Sequence, residues 1–289
     1  MKKTVALLLS LALIIICFTA CGAKEDYTLG IGIAEEVDYE KGTIIQAVAG
    51  IVTDTDGNVV LTRLDAVEYN VKVEGGNATV YVPTACRDDE DNSAFKADAD
   101  YLEEYARGKT EAELDALDLN KLDKSGAYSN LLLRAIKKAL SSEYKTAFKS
   151  ESDLTLGVSL FAYASADDEK GTLTLGASFA AIAAYDGRIM GAVLDESDGI
   201  TATIGEEDGK ITSHSYRGTK LELGENYCMD DYNPSAAGEW YEQAAAYVKS
   251  LYYKPTDRLD EIPDGTIAGC TIGVENYRAA VIKAARRVR

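Results

Sequence analysis

One histidine, His214, is present in 289 residues. Ser-His-Asp triads, Cys–His pairs and most zinc sites take His as base or ligand, so side-chain chemistry here would have to come from carboxylates or a cofactor. His214 lies in the polar stretch Thr212-Ser213-His214-Ser215, which reads as a solvated loop or an edge strand. Positive charge is also scarce: 30 Lys and Arg against 48 Asp and Glu leave a formal charge of −18. That balance argues against nucleic acid as a partner and against a basic patch on anionic lipid. The five cysteines include no C-x-x-C pair. Cys17 and Cys21 lie at the N-terminus, leaving Cys86, Cys228 and Cys270, too few and too odd for a disulfide framework. A single Cys86–Cys228 bridge stays open. After residue 20, no apolar run approaches membrane-spanning length.

The N-terminus has its own pattern. Lys2 and Lys3 precede an apolar run over residues 4–20, too short and too close to the start for a comfortable spanning helix. The run ends in Phe18-Thr19-Ala20-Cys21-Gly22, which resembles the bacterial lipobox, with Phe18 where Leu is usual. The resemblance implies a signal peptide over 1–20, thioether lipidation of Cys21 and a location on the outer face of a membrane. Cleavage would remove two lysines and no acid, taking the charge from −18 to −20. Such acidity suits solubility outside the cell.

The chain also repeats itself. Leu29-Gly30 recurs as Leu156-Gly157, Glu40-Lys41-Gly42-Thr43 as Glu169-Lys170-Gly171-Thr172, and Asp56-Gly57 with Leu64-Asp65 as Asp186-Gly187 with Leu194-Asp195. Cys86-x-Asp88-Asp89 recurs as Cys228-x-Asp230-Asp231, at an offset grown from 127 to 142 residues. Order kept across both halves, with a slowly growing offset, marks a duplicated unit. Two repeat domains are expected, 27–145 and 153–289, joined by the polar linker Thr146–Ser152.

Each copy opens on β-branched segments: 27–34, 43–53, 59–73 and 77–82, then 154–163, 172–184, 189–195 and 200–204. Asp-Gly turns separate them, with a further one at Asp208-Gly209. Each copy then turns helical. Phe95, Ala99, Leu102 and Ala106 share one face, as do Trp240, Ala244, Tyr247, Val248 and Leu251. Asn233-Pro234 reads as a helix start. Final helices are expected near 129–144 and 273–288. The predicted fold class is α+β: two tandem copies of an antiparallel sheet followed by helices packed on one face.

Several motifs are more simply structural. Asp54-x-Asp56-Gly57-Asn58 places its Gly too early for an EF-hand and reads as a hairpin turn. Gly30 and Gly32 open a strand rather than a phosphate loop, so close packing is their expected role. The Cys-x-Asp-Asp elements offer a thiol and carboxylates to a soft metal, but acidic residues at a helix entrance explain them as well.

The last helix of the second copy has a more specific entrance, Asp264-Gly265-Thr266-Ile267-Ala268-Gly269-Cys270-Thr271. It resembles the flavinylation motif of the FMN-binding domain family, found in extracytoplasmic electron-transport subunits. The resemblance implies FMN held as a phosphoester on Thr271, with Gly269 and Asp264 as motif residues at a helix N-terminus suited to phosphate. Ala268 and Cys270 depart from the family pattern. In the first copy Ser125-Gly126-Ala127 matches, but Tyr128 stands in the acceptor position, which implies no flavin there. Leu221 to Tyr227 and Glu239 to Ala244 also resemble segments of a group of bacterial lipoproteins that carry no assigned activity. The expectation is therefore a lipid-anchored binding or interaction module with FMN-binding-like domains and no side-chain catalysis. One alternative is an electron carrier with FMN on Thr271; another is a solute-binding lipoprotein that takes a small ligand between the copies.

Overall fold

A computed structural model describes residues 24–288, apart from 75–76, 81–84, 122–125, 152, 168–171, 206–209, 259–260 and 264–266. Cys21, Asp264, Ser125 and the Asp208-Gly209 turn lie outside the described residues. The chain builds two antiparallel five-stranded sheets, with helices following each set of strands.

The first sheet runs β4-β3-β2-β1-β5, from β1 (Glu25–Asp38), β2 (Thr43–Thr53), β3 (Val59–Glu74), β4 (Asn77–Val80) and β5 (Thr146–Ser150). The second runs β10-β9-β7-β6, with β8 also on β7, from β6 (Thr155–Asp167), β7 (Thr172–Tyr185), β8 (Arg188–Glu196), β9 (Ile200–Ile204) and β10 (Ile211–Ser215). The long strand β7 pairs with β9 through its first residues and with β8 through its last. In the first sheet one unbroken strand, β3, pairs along β2. The Asp-Gly turns behave as their sequence predicts: Asp186 and Gly187 both have positive φ (47° and 66°), the conformation a two-residue hairpin requires. Asp54 accepts from Asn58 N at 2.8 Å and Asp56 N at 3.0 Å, so its carboxylate closes its own turn.

The helices are α1 (Ser93–Ala106), α2 (Glu111–Asp115), α3 (Ser129–Ser141), α4 (Lys220–Leu223), α5 (Met229–Tyr232), α6 (Trp240–Leu251) and α7 (Glu275–Arg286). Helix α3 lies on β1 and β2, and α7 lies on β6 and β7. Small residues allow this approach. A Cβ added at Gly30 would stand 2.4 Å from the Ala139 carbonyl oxygen, and one at Gly157 would stand 2.1 Å from that of Ala284. The two glycines of the repeated Leu-Gly pair thus seat helix backbones on the strands. Replacing Gly157 by Ala is expected to lower the unfolding free energy by about 1–3 kcal/mol, read as a shifted urea midpoint at unchanged slope.

The opposite faces of the two sheets pack on each other. Tyr27, Leu29, Ile31 and Ile33 of β1 share one hydrophobic core with Leu156, Val158, Leu175 and Phe179 of the second sheet. Alternate residues Ala34, Ala47, Ala49 and Ile51 face α1 and α3 in a separate cluster. Each central strand is therefore buried on both faces, which explains near-continuous apolar runs such as 173–184. Polar bonds tie the sheets: the buried Tyr69 hydroxyl donates to Gly176 O at 2.6 Å, and Gln46 Nε2 donates to Ser197 Oγ at 2.7 Å.

Three expectations change. The segment Thr146–Ser150 is β5, paired with β1 from Glu25↔Ser150 to Leu29↔Thr146, rather than a free linker. The face away from the helices is covered by the other sheet, where a one-sided sheet was expected. Asn233-Pro234 is a turn after α5; α6 starts at Trp240 with Glu239 as N-cap in a capping box with Glu242.

Candidate ligand cleft

Two buried aspartates hold corresponding positions, Asp65 on β3 and Asp195 on β8. Asp65 is fully buried and Asp195 is 3 % exposed. Each carboxylate accepts from the next residue's N–H: Ala66 N to Asp65 Oδ1 at 2.9 Å, Glu196 N to Asp195 Oδ1 at 2.8 Å. Each also accepts one N–H from the segment that returns past the strand: Arg87 N at 3.1 Å for Asp65, Leu221 N at 3.1 Å for Asp195. An isolated buried charge is costly, so each site must find a countercharge or a proton.

The solutions differ. Arg287, the C-cap residue of α7, places its guanidinium on the Asp65 carboxylate and on that of Asp88, and donates to Val158 O at 3.1 Å. Lys283 Nζ pairs with Asp88 at 2.6 Å. Burial pushes the Asp65 carboxyl up, with Arg287 and the two N–H groups opposing. Among the described residues no Lys or Arg forms an ion pair with Asp195. Burial raises its pKa to about 7, eased by bonds from Thr219, Leu221 and Glu196 and worsened by the charge of Glu222.

Asp195 lines a cavity of about 230 Å³ with Ile31, Lys138, Ser142, Leu221 and Glu222. A neighbouring cleft of about 550 Å³ shares Tyr144 and Leu221 with it and extends over Thr146, Val193, Tyr241 and Tyr252. The smaller lies where β1 and the end of α3 meet β8 and α4, and the larger where the start of β5 meets β8 and α6. Tyr144 and Tyr241 face each other with ring centroids 5.3 Å apart. The larger cleft is lined by tyrosines and the smaller cavity by a buried carboxyl, groups suited to small-ligand sites.

Thr271 lies three residues before the N-cap of α7, Val274, and so does not cap that helix. Its N–H and hydroxyl donate to Gln243 Oε1 at 2.6 and 2.9 Å, and Ile272 N donates to the same oxygen at 3.2 Å. Gly269 turns the chain at φ 80°. The Glu275 carboxylate approaches Gly273. An FMN phosphate on Thr271 would remove the hydroxyl donor, find the adjacent N–H groups engaged, and meet the charge of Glu275. The described residues at Thr271 and Gly269 do not fit that group.

The remaining motif residues have structural partners. His214 lies on the edge strand β10, with the Tyr39 hydroxyl 2.6 Å from Nδ1 and Glu35 Oε1 3.4 Å from Nε2. Burial raises the Glu35 pKa, with His214 opposing. Cys86, Cys228 and Cys270 are free thiols. Asp88 is held by Arg287 and Lys283, and no group of three metal-ligating side chains occurs among the described residues. No helix among the described residues is long and apolar enough to cross a membrane.

No protein-family model, curated protein or solved structure matches the chain. The repeated Leu-Asp pairs were visible in the sequence without a role; an ionisable residue inside an apolar strand, twice, was the available signal. Arg287 carried no signal, because it belongs to none of the repeated elements or motifs of the sequence.

Proposed function

We propose that the chain is a lipid-anchored extracytoplasmic binding module made of two tandem copies of one α+β unit, which takes a small molecule in the cleft between them. The cleft carries this reading: about 550 Å³ with an aromatic rim, opening beside the Asp195 cavity. Tandem duplication is supported by the repeated Leu-Gly pair, each seating a final helix, and by the matched aspartates. The anchor rests on the lipobox resemblance at Cys21; FMN on Thr271, the alternative raised by the motif, is disfavoured because the Thr271 donors are engaged by Gln243.

Two measurements test it. In cells, the full chain is expected in the membrane fraction, and Cys21→Ser is expected to leave it there only as an unprocessed precursor or release it. Native mass spectrometry of the natively produced protein is expected to show a small retained solute, lost in Tyr241→Ala. A flavin spectrum with a mass increment on the Thr271 peptide would instead establish the alternative. Protein that carries neither solute nor flavin, and takes up none from a metabolite extract, would contradict ligand binding.

A further inference from the structure

The two buried aspartates sit in matching frames, position by position. Ala139 and Ala284 meet the paired glycines Gly30 and Gly157, which aligns α3 with α7. In that alignment Lys138 corresponds to Lys283 and Ser142 to Arg287, the latter two being the C-cap residues of their helices. Glu222 then corresponds to Asp88, each one residue beyond the N–H donor to its aspartate. The correspondence extends to ion pairs: Lys138 Nζ meets Glu222 at 2.6 Å, as Lys283 Nζ meets Asp88 at 2.6 Å. Ile31 corresponds to Val158, one residue past the repeated glycine in each case.

One element of this frame is not repeated. Where Arg287 reaches Asp65, Asp88 and the Val158 carbonyl, the first copy has Ser142, whose side chain is too short to fill the space. The cavity beside Asp195 occupies that position, lined by the counterparts of the groups around the Arg287 guanidinium. Charge shows the same gap. Asp65 and Asp88 are balanced by Lys283 and Arg287, whereas among the described residues Asp195 and Glu222 are paired with Lys138 alone.

We propose that the cavity beside Asp195 binds a guanidinium-bearing ligand, which takes the place that Arg287 fills beside Asp65. The Asp195 carboxylate, the Glu222 carboxylate and the Ile31 carbonyl are the acceptors. The last is available in the way the Val158 carbonyl is, because β1 loses its β5 partner after Leu29. A planar fork of donors satisfies three acceptors at once, which a compact ammonium matches less well. Lys138 at the rim does not repel the ligand decisively, since Lys283 and Arg287 already share Asp88 in the corresponding site. No group of three His, Cys, Asp or Glu side chains that could hold a metal ion occurs among the described residues.

The inference rests on the cleft as a small-molecule site and specifies what its inner end recognises. Isothermal titration of the full chain with methylguanidinium, agmatine and urea tests it. Both cations are expected to bind, and urea, similar in shape but neutral, is not. Ser142→Arg supplies the missing guanidinium from the chain itself, so it is expected to weaken agmatine binding about tenfold or more while raising the melting temperature. Should that variant fail to fold, Glu222→Gln, a partly exposed change, is expected to weaken agmatine several-fold with an unchanged circular dichroism spectrum. A peptide whose only cation is an internal arginine separates the two sources of the group. Binding by agmatine alone points to a free metabolite, and comparable peptide binding points to an arginine side chain. Absence of heat with either cation at millimolar concentration, or equal affinity for urea, would overturn the proposal. If the native protein still retained another solute that depends on Tyr241, only the ligand class would fall.

Discussion

Asp65→Asn is expected to destabilise the fold by about 3 kcal/mol, because it removes one partner of a buried ion pair and strands the other. The Asn oxygen can still accept from Ala66 N and Arg87 N, as the Asp65 Oδ1 does. Its amide nitrogen would then face the Arg287 guanidinium, donor against donor. A guanidinium keeps its charge at any pH the fold survives, so Arg287 cannot escape the penalty by losing a proton. Asp88 and the Val158 carbonyl still hold it, which keeps the loss below that of an isolated charge. Urea denaturation at pH 7 reads the effect directly. A change smaller than 0.5 kcal/mol, the scale of an ordinary surface substitution, would show that Arg287 is not anchored as described.

The same substitution at the corresponding position is expected to act in the opposite sense. Asp195 has no cationic partner among the described residues, and burial raises its pKa from 3.8 to about 7. Well below pH 3.8 the carboxyl is protonated in both folded and unfolded chains and costs nothing. Between 3.8 and about 7 the unfolded chain releases the proton while the folded chain keeps it, so stability falls as pH rises through that window. Above it the cost is fully present, on the order of 4 kcal/mol for a rise of about three pH units at 1.36 kcal/mol each. Asp195→Asn removes this titration while preserving an acceptor for Glu196 N and Leu221 N. The variant is therefore expected to be the more stable at pH 8 and to match the parent below about pH 3. A variant less stable than the parent at pH 8 would mean that Asp195 already has a countercharge.

Much of the architecture was readable in the sequence because local pattern and final burial agree. The Asp-Gly turns bound β-branched runs, and Phe95, Ala99, Leu102 and Ala106 became the buried face of α1. Elements decided by distant partners were not readable. The polar segment Thr146–Ser150 looks like a linker, and becomes β5 only because the outer edge of β1 is available to it. The face-to-face packing of the sheets was hidden because a strand buried by a helix on one side and a sheet on the other has no alternation to read. Pro234 suggested a helix start, whereas the Glu239–Glu242 capping box fixes it six residues later.

The candidate site was half legible. The repeat brought Asp65 and Asp195 to notice as a pair, but only three dimensions bring Arg287 to one and leave Ser142 beside the other. Thr271 stood out by motif, yet its donors turn inward to Gln243, a residue of another helix that no local pattern connects to it. Gln243 is itself fully buried, so those bonds are part of the core.

The most direct test of the account is a crystal structure of the full chain grown at pH 8 with agmatine. The expected result is a guanidinium beside Ser142, within hydrogen-bond distance of the Asp195 and Glu222 carboxylates, with its tail directed toward Tyr144 and Tyr241. An Asp195 cavity holding only water at saturating agmatine, with Arg287 still on Asp65, would contradict it.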